Sequence, residues 1–268
     1  MTQLLVATCV YNPLDVARLT IESALKHTDV DFRYVLVYNH PPYRGHRDEF
    51  YEYVRGLDDD RVLILDVNRN TGCHGGVDLV WDLQDGVRYL AKVDDDTIVA
   101  PGWASKIIHG LQLDETIAAL SSDITARSRD PIHRGRVEEH EDGTKLEFMT
   151  WCSWSAVIVP AHLRAVWGRF PISGLYGGEE HWWSARAQEA GMRVGYHLGT
   201  MAFHADVHSR PRWTVWKLIS TQKGYPQTFD QMVSNRDELK LAYFLYADYF
   251  MKAQAPIPLT VEDVLDGR

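Results

Sequence analysis

The sequence predicts an α/β fold: a mostly parallel central sheet flanked by helices. Three observations carry that expectation. In the first hundred residues, short apolar runs alternate with stretches of helical periodicity, the rhythm of βαβ units. Each apolar run ends at a breaker or a polar cluster rather than in another strand-like run. The chain has 268 residues, 45% hydrophobic and 24% charged, an ordinary globular balance with enough length for one large domain or two small ones.

Taken in order, the first run is Leu4 to Val10, stopped by Asn12-Pro13, and Leu14, Ala17, Ile21, Ala24 and Leu25 then mark one helical stripe. The second run, Tyr34 to Tyr38, stops at Asn39-His40-Pro41-Pro42 and precedes a polar helical stretch near 47–57. A third run, Val62 to Val67, leads through a Gly-rich loop to a helix near 75–87, and a fourth, Tyr89 to Val93, runs into Asp94-Asp95-Asp96. Beyond residue 112 the pattern changes. Ile117 to Ser121 reads as a strand, 132–149 as an edge hairpin turning at Asp142-Gly143, and Ser155 to Val159 as a strand followed by a short helix from Ala161. A Gly-rich loop, 174–178, precedes a helix from Glu179 to Ala190 stopped by Gly191. Arg193 to Leu198 is the last strand, and 216–268 is a tail with a helix near 236–253.

Right-handed crossovers bring the C-terminal ends of parallel strands to one edge, where ligands bind in α/β sheets. Chemistry is therefore expected at Thr8 to Asn12, Asn39, Asn68 to Gly76 and Asp94 to Thr97. Composition narrows the partners. The formal net charge of −9 disfavours a polyanionic duplex. No apolar run reaches the length of a membrane span, and the first residues lack a secretory pattern. Cys9, Cys73 and Cys152 are too few and too scattered for a disulfide framework. A cytoplasmic protein that binds no nucleic acid is expected, with association to a membrane surface left open.

Asp94-Asp95-Asp96 is the strongest chemical signal. Adjacent carboxylates repel, and a divalent cation relieves them; side chains two apart on an extended backbone point the same way. A solvated turn or a helix cap before Pro101 is the plainer alternative. The glycines of Asn70-Thr71-Gly72-Cys73-His74-Gly75-Gly76 let backbone N–H groups approach a ligand at a helix start, or simply allow tight packing. Glu179 and Glu180 suit both helix capping and proton abstraction. Trp183, Ala187 and Ala190 form an inward stripe, which leaves Trp182 for the cleft. Of Trp151 and Trp154, alternation sends one to the core, and Trp154 is expected to stack on a sugar. His204 and His208 follow the last strand.

In order along 4–209, the segments VATCVYNPLDVARLTIESAL, NRNTGCHGGVDLVWD, AKVDDDTIVAPGW and GGEEHWWSARAQEAG resemble those of GT-A-fold glycosyltransferases, most closely the inverting family 2 enzymes. The resemblance implies a GT-A (Rossmann-like) domain over 1–215, with a nucleotide-sugar half to about 112 and an acceptor half to 215, plus a helical extension over 216–268. It implies a nucleotide-sugar donor, UDP-linked by preference, and a glycan, lipid-linked, protein or small-molecule acceptor. Thr8, Tyr11 and Asn39 would line the nucleoside pocket and Asp94 the ribose, with Asn12, Asn70, Gly72, Asp95, Gly178 and Glu179 completing the donor site. Asp96 and His204 would hold Mn²⁺ or Mg²⁺, and Glu180 stands where the family has its catalytic Asp. Asn39 stands where relatives commonly carry an acid that contacts the base. Loops 174–178 and 130–148 would order over bound donor. The apolar arc of the tail, including Leu241, Phe244 and Tyr249, would pack on the domain or form a homodimer. A phosphohydrolase would want a nucleophilic Asp after the first strand, where only Tyr11 and Asn12 stand. A non-catalytic sugar- or nucleotide-binding relative would bind donor without turnover.

Overall fold

The computed structural model describes residues 2–41, 45–67, 69–84, 86–124, 135–171 and 178–204, with backbone alone at 124 and 204. The loop over 174–177, the stretch 130–134, His208 and the whole tail, each given a role from sequence, lie outside the described residues.

The first strand, β1 (Leu4–Val10), shows how the layers form. Leu4, Val6 and Val10 point into one apolar cluster and Leu5 and Ala7 into another, because side chains alternate across a strand. Helix α1 (Leu14–His27) covers the first face with Ala17, Ile21 and Ala24. Strand β2 (Phe32–Tyr38) repeats the alternation: Tyr34, Leu36 and Tyr38 face the α1 side, Val35 and Val37 the other. Helix α2 (His46–Gly56) adds Phe50 and Val54 to the first cluster, and β3 (Val62–Asp66) forms the outer parallel edge. Helix α3 (Gly72–Trp81) buries Val77, Val80 and Trp81 on the second face. Its start is three residues earlier than the periodicity predicts. Gly72 adopts a left-handed φ of 74°, and its N–H donates to Asn70 Oδ1 at 2.8 Å, so the chain turns into the helix there.

Strand β4 (Tyr89–Val93) pairs in parallel with β1 and completes the order β3-β2-β1-β4. Two elements that the sequence pattern does not announce follow: β5 (Thr97–Val99) and α4 (Trp103–Leu113). Trp103, Ile107 and Ile108 of α4 extend the first cluster. Past β4 the sheet becomes mixed. Strands β6 (Ile117–Ile124), β7 (Arg136–Glu139), β8 (Lys145–Met149), β9 (Ala156–Pro160) and β10 (Arg193–His204) extend it in the order β9-β6-β10-β8-β7. β9 is antiparallel to β4 and β6, whereas β10 is parallel to β6. The expected hairpin is β7–β8, closed through Gly143 at φ 83°. Helices α5 (Ala161–Trp167) and α6 (Glu179–Glu189) join α3 on the second face, where Trp183 and Ala187 of α6 are fully buried.

β10 runs six residues beyond its predicted end. Its first half pairs with β8 and β6, and its last residues, Ala202 to His204, pair with Val99 to Thr97 of β5. That pairing anchors the turn carrying the three aspartates. Among the described residues no helix is long and apolar enough to cross a membrane.

Candidate active site

The C-terminal ends of β1, β2 and β4 and the N-termini of α3 and α6 meet at one edge of the sheet. The binding agent is Lys92, the only charged residue of β4 and just 3% exposed. Its Nζ lies 2.5 Å from Asp94 Oδ1 and 3.1 Å from Glu179 Oε1, and it donates to the Trp154 carbonyl at 3.1 Å. One ammonium thus joins the β4 end to the first residue of α6 and to the segment before β9. Burial works against its charge, but Asp94 and Glu179 overcome that and hold it well above the usual lysine range. Burial also pushes Glu179 upward. Lys92, the N–H at the helix start and the Cys73 thiol more than offset it, so its carboxyl falls below the ordinary glutamate value. Cys73 Sγ donates to Glu179 Oε1 at 3.3 Å, which draws the start of α3 to the same point. Glu179 Oε2 is buried with no hydrogen-bond partner among the described residues.

Glu180, the next residue, is half-buried and faces another environment. Burial first, then the charge of Glu179, raises its carboxyl above the ordinary value, and His181 Nδ1 stands 3.4 Å from its Oε1. The two neighbouring glutamates are driven apart, the first held as an anion by Lys92 and the second pushed toward a basic carboxylate.

The three aspartates do not continue the strand: Asp95 and Asp96 lie in a turn, closed by the Thr97 N–H donating to the Asp94 carbonyl at 3.1 Å, so the alternation expected of an extended backbone does not apply to them. Asp94 remains partly exposed at the crevice, and its N–H donates to the Ser155 carbonyl at 2.8 Å. Asp96 is 2% exposed. Asp95 turns toward the β1 loop: its Oδ2 accepts the N–H groups of Tyr11 and Asn12 at 2.6 Å each, and its Oδ1 accepts Asn12 Nδ2 at 2.7 Å. Burial, then the charge of Asp96, raises its carboxyl to about 7 against those hydrogen bonds. Asp95 therefore fastens the turn after β1 and does not face the crevice as a donor-site residue would.

Several other expectations change. Thr8 is fully buried inside β1, its hydroxyl donating to the Val93 carbonyl at 2.8 Å and bonding to Tyr34 at 2.9 Å, so it lines no pocket. Asn39 is 2% exposed, and its amide is engaged inside the chain. Oδ1 accepts Thr71 N–H and hydroxyl at 2.8 and 3.0 Å, and Nδ2 donates to the Gly72 carbonyl at 3.1 Å. It shapes the loop before α3 and presents no free edge to a base. Trp154 is 3% exposed, packed among Trp81, Phe170 and Trp183 with ring centroids 5.5–5.7 Å apart, so it is core and not a sugar platform. The exposed member of that pair is Trp151. Trp182 is half-buried against Phe170, between core and surface.

Tyr11 and Asn70 are half-buried beyond the ends of β1 and β3, whereas Asn12 is buried with its Nδ2 given to Asp95 and Gly72 is buried with its carbonyl given to Asn39, so these two fasten loops as Asp95 and Asn39 do. Gly178, at φ 99°, opens α6. His204 ends β10 opposite Thr97, the residue after Asp96 in the chain, so its backbone reaches the expected place. Sequence reasoning passed over Lys92. The available signal was a lysine inside an apolar strand, two residues before Asp94 and so on the same face.

The family profile described as Glycosyl transferase family 2 matches residues 5–166. Among curated proteins no sequence match is found. Solved structures are similar in fold. GalNAc-T7, crystallised with UDP, GalNAc and Mn²⁺, aligns with a TM-score of 0.63 and 12% identity. That alignment covers 96% of this chain but 59% of GalNAc-T7, so the chain spans about three-fifths of that structure's length. The mannosyltransferase PcManGT from Pyrobaculum calidifontis, in complex with GDP-Man and Mn²⁺, aligns with a TM-score of 0.61 and 13% identity over 99% of this chain and 79% of its own. At such identities the likeness concerns fold, and the profile, which covers more than half of the chain, carries the membership. This chain belongs to glycosyl transferase family 2 and has the GT-A fold.

Proposed function

We propose that the chain is an inverting glycosyltransferase that moves a sugar from a nucleoside diphosphate, UDP by preference, to an acceptor hydroxyl, with Glu180 as general base. The observation that carries this reading is the Lys92 bridge. It holds the Asp94 end of β4 and the start of α6 at one point, so carboxylates suited to a donor diphosphate and a carboxylate suited to proton abstraction share one crevice. A raised Glu180 is a better proton acceptor than an ordinary glutamate, and its partial exposure leaves it open to a hydroxyl. Glu180 takes the acceptor proton as that oxygen attacks the anomeric carbon in line, opposite the leaving diphosphate. Glu179 and Lys92 keep α6 in place and stay charged through the reaction. Asp94 meets the ribose, and Tyr11, Asn70 and Gly178 form the rest of the donor wall, on loops fastened by Asn12 and Gly72.

The carboxylates of the β4–β5 turn fit a hard divalent cation. They include two buried aspartates, one raised partly by the other's charge, while Lys92 faces Asp94 and Glu179. Asp96 and His204 are the proposed ligands of Mn²⁺ or Mg²⁺. Such an ion supplies Lewis-acid stabilisation of the charge that develops on the leaving diphosphate.

The test is a thermal-shift panel of UDP-, GDP- and dTDP-sugars with and without Mn²⁺, followed by turnover. Ligand at a hundred times Kd stabilises by roughly 2.7 kcal/mol, a readily measured shift. Glu180→Gln is expected to retain the donor shift and lose transfer by at least about a hundredfold. Full transfer by Glu180→Gln refutes the base assignment, and full metal-dependent transfer by Asp96→Ala refutes the metal assignment.

A further inference from the structure

Trp151 is 43% exposed, an unusual position for a tryptophan in a chain whose other described indoles are buried or half-buried. It stacks on His181, with ring centroids 5.3 Å apart and planes within 19°. His181 is the neighbour of Glu180 and approaches its carboxylate at 3.4 Å. The segment bearing Trp151 runs along α6: Gln188 Nε2 donates to the Thr150 carbonyl at 2.8 Å, and the Ser155 carbonyl accepts the Asp94 N–H. An exposed flat ring thus stands next to the neighbour of the candidate base, on a segment that four residues later reaches the end of β4.

A groove of about 620 Å³ lies between α6 and the β8 strand, its lining starting at Thr150, the residue before Trp151, and at Ser184, one turn after Glu180. Its wall mixes apolar Phe148, Met149 and Met192 with polar Thr150, Ser184 and Gln188. The single charged residue on it among those described, Arg193, is neutralised by Asp114 at 2.6 Å and Glu138 at 2.9 Å. A wall that alternates apolar patches with amide and hydroxyl groups, with no spare charge among the described residues, matches a sugar chain, whose rings have C–H faces and hydroxyl rims. Among the described residues this wall offers no unpaired cation to an anionic lipid phosphate and no continuous apolar lining to an acyl chain.

We propose that the acceptor is a neutral oligosaccharide whose terminal ring stacks on Trp151, placing its hydroxyl at Glu180, while the preceding rings lie in the groove along α6. The acceptor role rests on the transfer reading above; the stacking site stands on its own geometry.

The test uses the full chain with Mn²⁺ and UDP, GDP or dTDP, and four neutral probes: cellotetraose, maltotetraose, mannotetraose and chitotetraose. Nucleotide binding is followed by thermal shift and tetraose binding by saturation-transfer NMR titration. At least one tetraose is expected to bind. Trp151→Ala should weaken it by at least about tenfold, as truncation of a stacking tryptophan does, and Trp151→Phe should stay within about threefold because a flat face remains. Gln188→Ala should weaken the tetraose more than the matching disaccharide. A wild-type chain that takes up nucleotide with Mn²⁺ but none of the tetraoses overturns the proposal, as does a folded Trp151→Ala chain that binds as tightly as wild type. Trp151-dependent tetraose binding without any nucleotide shift supports the platform and refutes the transfer reading instead.

Discussion

Replacing Lys92 by Met removes the cation that Glu179 and Asp94 share. The two acids differ in consequence, because Glu179 is 3% exposed whereas the Asp94 side chain keeps 28% of its surface in water. Asp94 is rehydrated; Glu179 is left as a buried acid with the Cys73 thiol and the start of its own helix. Removing one partner from a buried ion pair destabilises by about 3–5 kcal/mol. Glu179→Gln leaves Lys92 paired with Asp94 and removes one charge-assisted contact, about 1.5–3 kcal/mol. In the double variant Lys92→Met, Glu179→Gln the stranded acid is gone, so its loss should fall short of the sum of the singles by about 1–3 kcal/mol. Urea unfolding at pH 7 with an unchanged m value measures all four proteins. The pH dependence supplies a second check. In wild type, Glu179 titrates below its unfolded value, so its contribution is present above that value and lost as pH falls through the lower folded one. Without Lys92, burial raises the folded carboxyl above the unfolded one. The Lys92→Met deficit should then shrink as pH falls from 7 toward 5, where the proton restores a neutral group. Singles that add to within about 0.5 kcal/mol, or a deficit independent of pH, refute the bridge as the element joining β4 to α6.

Glu180 is raised by burial and then by the charge of Glu179, so transfer should rise with pH through a midpoint above 4.5, and Glu179→Gln should move that midpoint down; kcat/KM against pH reads both. Asp95→Ala strips the acceptor from two backbone N–H groups, each costing about 1–3 kcal/mol when left unpaired, and equilibrium unfolding should record their sum. Gly76→Ala sets a methyl group 2.4 Å from Cys9 Sγ and 3.3 Å from Val37. It should destabilise by about 1–3 kcal/mol, with part of the melting temperature recovered in Gly76→Ala, Cys9→Ala.

Elements whose signal is local were legible in the sequence. β1, β2 and β4 are apolar runs closed by breakers, and the β7–β8 hairpin turns at Asp142-Gly143 where Gly143 supplies a left-handed φ. β5 is only three residues long and exists because β10 pairs with it more than a hundred residues later, so no local window contains its reason. The edge of the sheet that holds the site was likewise legible, since parallel strands share it. Which side chains at that edge face outward was less so. Thr8, Asn39 and Asp95 are polar residues at or near strand ends, yet each is committed to an internal partner: Val93, Thr71 and the Tyr11–Asn12 turn respectively. Polar type alone does not separate a ligand contact from a loop fastener, because both satisfy buried hydrogen-bonding groups. Trp151 and Trp154 were exchanged for a related reason: the segment between them is irregular, so strand alternation does not apply.

β4 lies in the middle of the finished sheet, but its second partner, β9, begins roughly sixty residues later in the chain. At the pace of synthesis, about 5–20 residues per second, the nascent parallel half displays an unpaired inner edge for several seconds. An open apolar edge invites pairing with other chains, and a charge on a short strand is a known defence. Lys92 is the one charge on β4. The residue that ends as the hub of the crevice thus also keeps a charge on that open strand until β9 pairs with it and the same ammonium donates to the Trp154 carbonyl.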